Sequence, residues 1–109
     1  MKDESFKDFV LDQLSALDGL RSRAMFGGHG IYAGEAFFAI VWQGRLYFKT
    51  DAKTRVAYVE RGMKPFRPSA RQSLTSYYEV PLEVIEDAAQ LAVWARKAAR
   101  VETAGAAKR

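Results

Sequence analysis

Cysteine is absent from the 109 residues, which rules out disulfides, thiolate-ligated zinc and cysteine nucleophiles. Histidine occurs once, at His29. A general base needs an orienting partner and a nucleophile within reach, and the glycines flanking His29 supply no side chain. Zinc or iron sites want clustered His, Cys or carboxylate ligands, and no such cluster is legible. No serine or threonine sits in a Gly-x-Ser-x-Gly elbow. Glu35, Glu79, Glu83, Glu86 and Asp87 are the candidates for a carboxylate pair, but most lie at turns or near a helix start, where capping and the helix dipole account for them. No catalytic residue, cofactor or metal is therefore assigned, and the chain reads as a non-enzyme. Long apolar runs are missing as well: none approaches the roughly 18 residues of a membrane span. The acidic start Met1-Lys2-Asp3-Glu4 is unlike a signal peptide, so a cytoplasmic protein without membrane contact is expected.

What remains is an ordinary globular composition, 49% apolar and 28% charged, sized for one domain with a single core. The net charge of +4 is unevenly spread. Residues 1–18 hold five acids and two bases, residues 19–71 ten bases and three acids, residues 72–87 four acids and no base, and residues 88–109 five bases and one acid. Blocks of alternating sign are expected to pair with one another across the fold.

Three glycines in four residues, within Met25-Phe26-Gly27-Gly28-His29-Gly30-Ile31-Tyr32, predict a tight turn between two strands, with Gly27, Gly28 and Gly30 as structural turn residues. A Walker loop would need Gly-Lys-Ser/Thr, and a dinucleotide loop GxGxxG between strand and helix; neither is present. Phe6, Phe9, Val10, Leu14 and Leu17 recur with helical spacing behind Asp3 or Ser5 as N-cap, and Gly19 ends that helix. Leu20 to Phe26, Gly30 to Ala33, Ala36 to Trp42 and Arg45 to Lys49 read as strands joined by short connections. Asp51 caps a helix over Ala52 to Arg61 buried through Ala52, Val56 and Val59, and Gly62 ends it in the left-handed conformation. Pro65 to Pro68 is extended, Ser69 to Gln72 a polar loop and Leu74 to Val80 a strand. Pro81 opens a helical turn, and Asp87 caps a last helix with Leu91, Trp94, Ala95 and Ala98 inward, opposite Arg96, Lys97 and Arg100. The order condenses to α-β(3)-α-β(2)-α, an α+β fold of two layers with the helices on one face of an antiparallel sheet. Residues 1–101 form the one domain, and residues 102–109 a flexible tail.

Met25-Phe26-Gly27-Gly28, Leu46-Tyr47-Phe48-Lys49, Gly62-Met63-Lys64-Pro65-Phe66, Ser76-Tyr77-Tyr78-Glu79-Val80-Pro81 and Trp94-Ala95-Arg96-Lys97-Ala98 occur in this order. Together they resemble the N-terminal domain of the TfoX/Sxy family, regulators of natural competence, over about Leu20 to Arg100. The resemblance implies a two-layer fold similar to that of secretion chaperones, and regulation of DNA uptake or competence genes through protein partners. Full-length regulators continue into a second domain, so a stand-alone form is expected here. Arg67 to Gln72 departs from the family's basic loop, and nothing is carried over to it.

Alternation places Arg21 and Arg23 on one face of their strand and Arg45, Tyr47 and Lys49 on one face of theirs. Such a face could follow a phosphate backbone and stack bases. The solvated outer face of a sheet is the plainer reading, so direct nucleic-acid binding is the alternative function and at most weak. Lys64, Arg67 and Arg71 lie in a loop region of the kind that serves solubility as readily as function. Trp94 reads as core. Ala36 to Trp42 is apolar throughout, with Phe37, Ala39 and Val41 opposite Phe38, Ile40 and Trp42, so both faces need cover. A homodimer is expected to supply it.

Overall fold

Glycine-punctuated alternating segments in the first half of the chain pair in sequence order, and two more strands join the sheet after a short helix. The computed structural model describes residues 2–25, 27–69 and 74–107. Its elements are α1 (Lys2–Gln13), β1 (Leu20–Met25), β2 (Gly28–Ala33), β3 (Ala36–Trp42), β4 (Arg45–Lys49), α2 (Arg55–Glu60), β5 (Pro65–Phe66), β6 (Leu74–Glu79), α3 (Leu82–Ile85) and α4 (Ala88–Ala107). The strands form one sheet in the order β1-β2-β3-β4-β6-β5, antiparallel at every junction. All four helices contribute to a single core against one sheet face, from Val10 and Leu14 through Tyr58, Val84 and Ile85 to Leu91, Ala95 and Ala98. The fold is α+β with helices on one side, as the pattern predicts.

Four strands precede α2, matching the four segments read individually and one more than the order α-β(3)-α-β(2)-α counts. The glycine-rich segment is itself a strand: Gly28 pairs with Met25, and Gly30 pairs with Arg23 on one side and Ile40 on the other. Of the three glycines read as turn residues, only Gly27 lies in the turn, with φ +76°. A Cβ on Gly28 would run into the Val41 carbonyl, and one on Gly30 would lie 2.7 Å from Met25 Sδ and 2.9 Å from Phe37 Cε1. Gly28 thus excludes a side chain by close packing against backbone, while one at Gly30 would have to displace the end of Met25 and the Phe37 ring; neither has a left-handed backbone angle.

Strict alternation also fails in β3. Ile31 pairs with Ala39 and Tyr32 with Phe37, which leaves Phe38 as an extra residue. This bulge lets Phe38 and Ala39 both face the helices, with Phe38 5.6 Å from Phe48 between ring centroids, while Phe37, Ile40 and Trp42 share the outer face. The predicted partition of Phe37 and Phe38 is thus reversed by one inserted residue.

Helix boundaries show further differences. α1 already includes Asp3 and Ser5, so neither is its N-cap. α2 is shorter and turned about its axis relative to the predicted helix: Tyr58 is its buried residue, and Val56 and Val59 are exposed. Gly62 does end it, with φ +75°; its N–H donates to Val59 O and that of Met63 to Tyr58 O, both at 3.0 Å, a Schellman closure. Asp87 caps α4 as predicted, its Oδ1 accepting from Gln90 N at 3.1 Å. α4 then continues through Ala107, across most of the segment read as a tail. Phe26, Arg71 with its neighbours Ala70 and Gln72, and the last two tail residues lie outside the described residues.

Candidate functional site

The five residues singled out in β1 and β4 lie on the outer face of the sheet, but they do not form one patch. Arg21, Arg23 and Met25 alternate with Leu20, Ser22 and Ala24 on the edge strand β1, and two strands separate β1 from β4. Between them lies an aromatic cluster. The Arg21 guanidinium sits 4.5 Å from the Tyr32 ring centroid, Tyr32 stacks on Phe37 at 5.2 Å, and Tyr77 donates its hydroxyl to Phe37 O at 2.7 Å. Phe66 meets Tyr47 edge-on at 4.9 Å and Trp42 at 5.6 Å. These rings bury Ile40 completely.

Tyr47 is consequently packed rather than presented. Burial, with Glu79 nearby, pushes its phenol above the ordinary tyrosine value. Arg45 Nη1 bonds Glu79 Oε1 at 3.1 Å. Lys49 Nζ donates to Ser76 Oγ at 3.2 Å and lies 3.5 Å from Glu102 Oε1 on α4. His29 Nε2 lies 3.9 Å from Glu4 Oε1. Of these pairs, Arg45–Glu79 joins blocks of opposite sign as expected, whereas Lys49–Glu102 joins two net-positive blocks. Lys64 and Arg67 are exposed, and the Lys64 carbonyl accepts from Glu79 N at 2.9 Å.

A second site is assembled between α2 and α4. Asp51 Oδ1 accepts from the backbone N–H groups of Lys53 and Thr54 at 3.0 and 2.8 Å, and these bonds hold its carboxyl below the usual value. They fix the turn that leads into α2. Thr50 is buried; its hydroxyl donates to Ser76 O at 2.9 Å and accepts from Arg55 Nε at 3.2 Å, which ties the start of α2 to β6. Tyr58 then reaches inward, 4.8 Å from Trp94 and 6.2 Å from Tyr78, and burial drives its phenol pKa upward.

The result is a concavity of about 570 Å³ between the two helices. Tyr58 and Ala98 are buried at its floor, Trp94 is partly exposed, and Lys53, Arg61 and Lys97 stand exposed around it. Lys49 reaches it from the end of β4. Cations around an aromatic floor attract anions and stack flat rings. Of the five candidate binding residues read from sequence in β1 and β4, only Lys49 lines this concavity. Trp94 reads as core and Lys97 as the opposite face of α4, yet their spacing of three puts them on neighbouring surface of one helix. That spacing, with Lys53 and Arg61 flanking Tyr58, was the available signal; the inward face assigned to α2 hid it.

Among the described residues, no group of three or more His, Cys, Asp or Glu side chains could hold a metal ion, and no helix is long and apolar enough to cross a membrane.

Compared with known proteins, residues 12–101 match the family described as the TfoX N-terminal domain. The DNA transformation protein TfoX1 of Aliivibrio fischeri is 29% identical over 80 residues, covering 72% of this chain and 36% of that protein. The chain thus spans about a third of the length of that curated relative.

Proposed function

Because the chain belongs to the TfoX N-terminal domain family, its matched region covering residues 12–101, we propose that it is a non-enzymatic regulatory domain of DNA transformation that acts through protein partners in the cytoplasm. The match across nearly the whole fold carries this reading. The name of its relative, a DNA transformation protein, supports it. Fold alone does not assign a function, so the reading rests on family membership.

Self-association belongs to the same proposal. Phe37 and Trp42 are only partly buried on the outer sheet face, where the aromatic cluster ends, and a second copy would complete their burial. Direct nucleic-acid binding is the second reading, favoured by the exposure of Arg21 and Arg23 on the edge strand. The burial of Tyr47 and the Arg45–Glu79 pair remove much of the stacking and charge that dedicated single-strand binders use.

Deleting the gene in its source organism and measuring transcripts of the DNA-uptake machinery tests the regulatory reading. Altered transcript levels, restored by the wild-type gene, are expected. Unchanged transcripts under conditions that induce uptake contradict it.

A further inference from the structure

The α2–α4 groove has a chemistry that the regulatory reading does not use and that does not depend on it. Lys49, Lys53, Arg61 and Lys97 line one concavity, and none of its lining residues among those described is acidic. Asp51, at its entrance turn, has Oδ1 engaged by the N–H groups of Lys53 and Thr54. Glu102 lies 3.5 Å from Lys49. Both carboxylates remain charged at the rim, and the four lining cations outnumber them, so the groove is net positive to whatever enters. The volume of about 570 Å³ falls within the range of roughly 300–1,000 Å³ for small-ligand sites.

Charge selects an anion, and the inner wall narrows the choice. The Arg61 guanidinium lies 5.0 Å over the Trp94 ring, and Tyr58 packs edge-on to the indole at 4.8 Å. A guanidinium beside an indole offers planar surface on which a heterocycle stacks. Gln90, also in the lining, brings an amide that both donates and accepts, as the edge of a nucleobase requires. We propose that this groove binds a nucleoside phosphate, its base on the Arg61–Trp94 stack and its phosphates held by Lys53 and Lys97. A free nucleotide and the terminal nucleotide of a single strand share this chemistry.

Isothermal titration of the full chain at about 0.15 M salt tests the proposal with ATP, adenosine, tripolyphosphate, a short single-stranded oligodeoxyadenylate and a glutamate-rich peptide. One ATP per chain is expected, with adenosine and tripolyphosphate each at least about tenfold weaker because each lacks half of the recognition. Lys53→Glu/Lys97→Glu is expected to weaken ATP at least about tenfold, with unchanged circular dichroism and melting temperature, and Lys64→Glu/Arg67→Glu, exposed and outside the groove lining, to leave it unchanged. Should the double variant melt early, Lys53→Gln and Arg61→Ala, both at exposed positions, are each expected to weaken ATP measurably. Oligodeoxyadenylate binding tighter than ATP, with the same variant dependence, would place the ligand at a strand end; weaker binding would make it a free nucleotide. Absence of ATP binding, tripolyphosphate binding as tightly as ATP, indifference to the groove variants, or tighter binding of the acidic peptide would each overturn the proposal.

Discussion

The guanidinium of Arg61 lies 5.0 Å above the indole of Trp94, one residue from the end of a short helix and the other from the middle of a long one. Arg61 is the C-cap of α2, and the left-handed Gly62 that follows turns the chain away, so the cap places the cation on the ring. Replacing Arg61 by alanine should lower stability by about 0.5–1 kcal/mol, with lysine recovering part of the loss. Thermal melts of the three proteins check this; an alanine variant as stable as wild type would show that the contact contributes nothing.

Gly28 and Gly27 should respond differently to the same substitution. Gly28→Val forces a side chain into the Val41 carbonyl across the β2–β3 ladder, an overpacking expected to cost about 1–3 kcal/mol or to prevent folding. Gly27→Val meets no neighbouring atom within 4 Å and incurs only the strain of φ +76°, about 1–2 kcal/mol. Gly27→Asn should recover much of that loss, since asparagine tolerates this region, whereas Gly28→Asn should not recover. Urea denaturation gives the ranking, and an asparagine rescue at position 28 would refute the packing explanation.

Alkaline stability should follow the buried phenols. Burial raises the pKa of Tyr47, Tyr58 and Tyr77. A phenol whose folded pKa lies above its unfolded value stabilises the fold fully below that unfolded value, about 10; the contribution is lost as pH rises toward the folded pKa. Spectrophotometric titration should therefore show these three phenols ionising late and together with loss of structure. Tyr58→Phe should remove part of that late phase. Early, independent ionisation of all five tyrosines would contradict the packing of both clusters.

On the acid side, Asp51 is exposed and its carboxyl is lowered, chiefly by its hydrogen bond from the Thr54 backbone. Its contribution is present above the unfolded pKa and fades as pH falls through the folded one. Thr54, not Asp51, is the N-cap of α2, but Asp51→Ala removes the side-chain bonds of the turn before it and should cost about 0.5–1 kcal/mol at neutral pH, as loss of a capping-type bond does, and less in acid. A cost that does not shrink with pH would assign the effect to something other than the charged carboxylate.

Self-association is measured by sedimentation equilibrium. The expected species has twice the chain mass of 12.3 kDa, reduced to the single chain by Trp42→Asp with folding retained. A wild-type species of single-chain mass across micromolar concentrations refutes the dimer.

Much of this fold is legible in the residues. Alternation in Leu20–Met25 and Arg45–Lys49 gives the correct faces, and Asp87 and Gly62 mark helix ends by their own chemistry. Sequence reading fails where one residue changes a local period. The bulge at Phe38 cannot be seen in an unbroken apolar run, because alternation carries no information when every residue is hydrophobic. In α2 the valines suggest an inward face, yet Tyr58 offers more area to bury against Trp94 and Tyr78, and tertiary packing overrides the pattern. That same rotation assembles the groove, so the error in the helix and the missed site have one cause. Lys49 is the exception: its strand position is correct, but its long side chain reaches past the strand end to Ser76 and Glu102, where backbone alternation gives no guidance.

The regulatory role is tested most directly by the uptake of marked DNA in three strains of the source organism: parent, deletion, and deletion carrying the wild-type gene. The account predicts that uptake frequency changes on deletion and returns to the parental value on complementation. Equal uptake in parent and deletion strains under inducing conditions would contradict it.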